Sequence, residues 1–131
     1  MSVEANKQLV RRYFEAQSSG DLHKGLSLLA DDVVWWVPGN WEMAGTFDKQ
    51  GMKKVMDGLS NFEGGLKFTF HSMTAEEDRV ATMTYLEGKL KDGRTYTNHI
   101  FWLFTIADGK ITRVVECPDS LQSARFWLGV K

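Results

Sequence analysis

The sequence predicts an α+β domain in which a curled antiparallel sheet, cone-shaped, carries three N-terminal helices across its concave face. Three observations lead there. The apolar period is about 3.6 residues before Gly65 and about 2 after it, so helices come first and strands later. Asp92-Gly93 and Asp108-Gly109 are tight-turn pairs that tolerate positive φ, so the later strands follow one another as hairpins. The strands flanking Asp92-Gly93 run well beyond the common length of about 5–6 residues, and strands that long twist and curl.

The elements follow in order. Residues 3–18 read as a helix, with Leu9, Val10, Tyr13, Phe14 and Gln17 on one face, Ser2 as cap and Gly20 as stop. Asp21 caps a second, short helix whose apolar face holds Leu22, Leu26 and Leu29. Val33–Val37 is β-branched and aromatic, and Pro38-Gly39 ends it, which predicts a strand. Residues 39–47 read as an irregular loop carrying Trp41 and Met43. Asp48 caps a third helix with Met52, Val55, Met56 and Leu59 on its apolar face, closed by Gly64-Gly65. Leu66, Phe68 and Phe70 then alternate with polar residues. Strands over about 79–91, 94–106 and 110–116 follow, and Pro118 breaks the last. Asp119 and Gln122 form a capping pair that opens a final helix to about Trp127.

A chain of 131 residues suits one domain, 1–131, with a core that needs no staples. Sixteen Lys and Arg against 17 Asp and Glu leave a net charge of −1, which excludes the basic excess of a nucleic-acid binder. The longest apolar run, Val33–Pro38, is far short of the roughly 20 residues that span a bilayer, and the first residues show no basic-then-apolar pattern, so no signal segment is expected. The single cysteine, Cys117, makes no intrachain disulfide, so a cytoplasmic setting is expected. Three dispersed histidines form no metal motif, and neither metal nor cofactor is expected.

Arg12-Tyr13-Phe14-Glu15-Ala16 with Gly20-Asp21-Leu22, then Leu29-Ala30-Asp31-Asp32-Val33, then Asp108-Gly109-Lys110-Ile111 leading to Glu116 and Asp119, give the chain a family likeness. From about residue 6 to 127 it resembles the SnoaL-like branch of the nuclear transport factor 2-like superfamily, which includes ketosteroid isomerases and polyketide cyclases. The resemblance implies a cystatin-like cone with an internal cavity. Tyr13 matches the oxyanion-hole tyrosine of the isomerases, but Val37 stands where they carry a catalytic Asp before Pro38, and Phe101 falls near their second Asp. The Asp–Arg–Asp triad of the epoxide hydrolases is broken, with Leu86 and Gly88 at two of its places. Asp119 matches the acid/base Asp of the SnoaL-type cyclases.

The expected catalytic residues are therefore Asp119 as base, with His99 and Tyr13 stabilising an enolate. Trp36, Trp41, Phe101, Glu116 and Leu86 are expected to touch a small apolar ligand, and Glu116 and Asp119 to push each other's pKa apart. Helix capping remains an equally simple role for Asp119. The function expected is acid/base chemistry on a polyketide- or steroid-like carbonyl compound, as a cyclase or isomerase. A non-catalytic ligand-binding or association module, and an epoxide hydrolase or dehydratase, stand as alternatives. A homodimer is expected through the outer sheet face, with Met83, Tyr85, Asn98, Ile100 and Trp102 on it.

Overall fold

Residues 2–129 are described by a computed structural model. The Ser2 side chain accepts from the Ala5 N–H at 3.1 Å and opens α1 (Val3–Ser19), which Gly20 ends at φ 77°. Leu9, Val10, Tyr13, Phe14 and Gln17 form its buried face, as the spacing predicts. Asp21 caps α2 (Leu22–Ser27). Leu29 does not extend that helix. It begins β1 (Leu29–Val37), because the Ile111 N–H bonds the Leu28 carbonyl at 2.9 Å and Leu29 pairs with Ile111 itself. Tertiary pairing here overrides the helical spacing.

The stretch expected as a loop contains β2 (Gly45–Phe47), whose residues pair with Trp35–Val37. Asp48 caps α3 (Lys49–Asp57), and a 3₁₀ turn, Gly58–Asn61, follows. Gly64 and Gly65 do not close the helix. They lie inside β3 (Phe62–Glu76) at φ 75° and 83°, in a bulge that shifts register between Glu63 and Lys67. The bulge brings β3 so close to α1 that a Cβ on Gly65 would collide with the Ser18 carbonyl oxygen. β4 (Arg79–Leu90), β5 (Thr95–Ala107) and β6 (Lys110–Pro118) complete the sheet, with Pro118 as the last strand residue, and Asp119 caps α4 (Ser120–Leu128).

Strand order is β2-β1-β6-β5-β4-β3. The sheet is mixed and not wholly antiparallel as expected, because β1 and β6 run parallel. A parallel pair needs a long crossover, and here residues 38–109 lie between the two strands. Helices α1, α2 and α3 pack on the concave side. Phe14 is the hub of the core: its ring meets Phe68, Phe70, Trp102 and Phe104 at centroid distances of 4.8, 5.3, 5.2 and 5.7 Å. Among the described residues, no helix is long and apolar enough to cross a membrane.

The phase of β5 corrects the sequence reading. Tyr96, Asn98, Ile100, Trp102, Phe104 and Ile106 point into the core, while His99, Phe101 and Leu103 lie on the convex, outer face. Both sets carry large apolar groups, so alternation alone does not say which faces in. Asn98, Ile100 and Trp102 are therefore not part of the outer face, whereas Met83 and Tyr85 are.

Candidate functional site

The inner face of β1 is set by Val33, Trp35 and Val37, all buried, which turns Trp36 outward at 41% exposure. Trp35 pairs in register with Val114, and Glu116 lies two residues further along β6, opposite the inward Trp102. This places the Glu116 carboxyl inside the cone, where its Oε1 accepts from Trp35 Nε1 at 2.9 Å. Glu116 keeps partial exposure, while Trp35 and Tyr13 keep 2% each. Burial pushes the Glu116 carboxyl up to about 7, against the opposing pull of the indole bond.

Tyr13 reaches the same interior from α1. Its ring lies 6.0 Å from Trp35 and 6.2 Å from Phe104. Its hydroxyl oxygen accepts from Gln17 Nε2 at 2.8 Å. Burial holds the phenol far above its ordinary range, and the nearby Glu116 carboxylate raises it further, while the Gln17 bond works the other way. Tyr13 is therefore a neutral donor at physiological pH. Proton acceptor and neutral donor thus lie beside the same apolar core residues, Trp35, Trp102 and Phe104.

The other expected site residues fall elsewhere. Asp119 is exposed at the N-cap of α4, its Oδ1 accepting from the Gln122 N–H at 3.1 Å. Its backbone is clamped by Asn98, whose Oδ1 accepts from the Asp119 N–H at 2.9 Å and whose Nδ2 donates to the Asp119 carbonyl at 3.1 Å. Tyr96 and Ser123 close the same network at 2.7–2.9 Å, seating α4 on β5. His99 faces outward, stacked on His71 at 5.7 Å and against Tyr85 at 4.8 Å. Its ring and the interior are therefore on opposite sides of the sheet. Phe101 is outside too, 58% exposed, and Leu86 is a buried core residue. Trp41 is half-buried against the core, and its Nε1 donates to the Pro38 carbonyl at 3.2 Å.

Trp35 and Gln17 are the interior residues whose part the sequence reading missed. The signal for Trp35 was its phase with Val33 and Val37. Gln17 sits in phase with an apolar helix face, where a polar side chain needs a partner. Cys117 lies on the outer face beside Phe101, its thiol held up by burial and by Glu116, which keeps it a weak nucleophile. Among the described residues, no group of three or more His, Cys, Asp or Glu is placed to hold a metal ion.

The SnoaL-like domain family matches residues 10–114. An uncharacterized protein of Mycobacterium tuberculosis is 30% identical over 132 residues, spanning 97% of this chain and 99% of its own. An NTF2-like protein from Burkholderia xenovorans superposes with a TM-score of 0.74 at 27% identity, covering 95% of this chain and 97% of that one. TerC, co-crystallised with polyporic acid, gives 0.76 at 23% identity over 92% and 96%. A Xanthomonas campestris protein named as a polyketide cyclase candidate gives 0.75 at 20% over 92% and 95%. The last two likenesses are likenesses of fold. Cone, curled sheet and family match agree: this chain belongs to the SnoaL-like family and has the NTF2-like fold.

Proposed function

We propose that the protein is a cofactor-free acid/base catalyst of the cyclase or isomerase type, acting on a small apolar carbonyl compound, with Glu116 taking and returning the proton. The observation that carries this is the Glu116 carboxyl itself, fixed by Trp35 Nε1 at 2.9 Å and raised by burial to about 7. A general base works best when its pKa lies near the operating pH. Tyr13 donates a hydrogen bond to the ligand oxygen as enolate charge develops there and keeps its proton. The surrounding rings exclude water and strengthen both interactions. The co-crystallisation of TerC with polyporic acid supports a small organic ligand for a cone of this shape. Asp119, exposed and engaged as a cap, keeps the helix-start role in this reading.

The test needs no natural substrate. Exchange of the α-protons of 2-tetralone in D₂O, followed by NMR, reads enolisation directly. Glu116→Gln keeps the shape and loses the base, so exchange should fall about 100-fold or more. Exchange unchanged in that variant overturns the assignment, and a wild type without any exchange favours a binding or association module.

We also propose that two copies meet through the outer sheet face. Val34, Trp36, Phe101 and Leu103 are each at least 36% exposed there, on the neighbouring strands β1, β6 and β5 with Val115 and Cys117 between them. A contiguous apolar face of this kind fits a self-complementary, two-fold contact.

A further inference from the structure

Gln17 lies one helical turn beyond Tyr13 on the buried face of α1 and is only 5% exposed. Its Nε2 donates to the Tyr13 hydroxyl oxygen at 2.8 Å and sits 3.8 Å from Met56 Sδ. Its Oε1 is buried without a hydrogen-bond partner. An unmet buried acceptor is costly, and folded chains keep few of them. Packing alone does not demand the amide, because the flanking positions of that face are Leu9, Val10, Tyr13 and Phe14 and a Met would fill the same space. Tyr13, with the Gln17 N–H on its oxygen, keeps its own proton for another acceptor. Oε1 and Nε2 of Gln17 share one carbon. The unmet acceptor, Gln17 Oε1, therefore belongs to the same amide whose N–H holds the Tyr13 hydroxyl.

We infer that Gln17 is a ligand-contact residue of the interior: its Oε1 accepts from a ligand hydroxyl or enol whose oxygen in turn accepts from Tyr13. This rests on the reading of the interior as a ligand site. One O–H group meets both partners at once, so the site selects free hydroxyls over their O-alkylated forms. Gln17 would thus set specificity without moving a proton itself.

The test uses 2-naphthol and 2-methoxynaphthalene, which share an apolar ring pair and an oxygen acceptor and differ in the one donor. Dissociation constants are measured by fluorescence for the wild type and for Gln17→Met. The wild type should bind 2-naphthol about fivefold to tenfold more tightly, the worth of one neutral hydrogen bond. Gln17→Met should lose that preference while holding 2-methoxynaphthalene within about twofold of the wild type. The wild-type preference does not depend on any variant folding. If the wild type binds both probes equally, or if Gln17→Met keeps the preference, the role of Gln17 is overturned and the interior site stands. If neither probe binds the wild type, the interior ligand site falls and the role of Gln17 with it.

Discussion

Glu116 is held by a single indole N–H, and that economy leaves a trace in stability. Folding raises its carboxyl from 4.5 to about 7, so the folded chain grips the proton more tightly than the unfolded one. The contribution of Glu116 to stability should therefore be greatest below pH 4.5, decline as pH rises toward 7, and level off above it. The loss is at most about 3 kcal/mol, and less because Glu116 keeps partial exposure. Glu116→Gln should flatten the slope and be the more stable protein at pH 8, as urea midpoints at pH 5 and pH 8 would report. An equal slope in both proteins would contradict the buried carboxyl. Trp35→Phe removes the one bond that lowers the Glu116 pKa, so its inflection should move upward. Tyr13 and Glu116 were legible as interior residues, one from helical spacing and one from its place at the end of the last strand. Their partner Trp35 was not, because Val33–Val37 is apolar on both faces and only the in-phase valines mark the buried side.

At the scale of elements, the bulge in β3 is the tightest constraint. Gly65 pairs a positive φ with direct contact to the end of α1, so Gly65→Ala meets both backbone strain and the Ser18 carbonyl. It should cost more than the roughly 1 kcal/mol of an ordinary glycine replacement, whereas Gly58→Ala, with open space around it, should be neutral or mildly stabilising. Thermal denaturation of the pair separates the two. Phe14→Ala removes the hub of four ring contacts and should cost about 3–5 kcal/mol. Helix starts were readable, since Ser2, Asp21, Asp48 and Asp119 each accept a backbone N–H as their position predicts. Strand starts were not. Leu29 and Phe62 enter strands because partners far along the chain, Ile111 and Leu90, are there to pair with them.

In the whole molecule, the same sheet serves two sides. Its inner face builds the polar pair in an apolar interior, and its outer face carries the patch proposed for self-association. Phe101→Asp should shift the protein to a species of about 15 kDa in sedimentation without unfolding it. A wild type that sediments as a monomer at tens of micromolar would refute the dimer. The helix-then-hairpin order made the cone legible from sequence, while the assignment of residues to its two faces needed the register of β5. The central claim is that the interior carboxyl, and not the capping one, moves the proton. The pH profile of 2-tetralone α-proton exchange tests it most directly, measured for the wild type, Glu116→Gln and Asp119→Asn. The account predicts an inflection near pH 7 in the wild type, its loss in Glu116→Gln, and its retention in Asp119→Asn. Exchange that survives Glu116→Gln and vanishes in Asp119→Asn would contradict it.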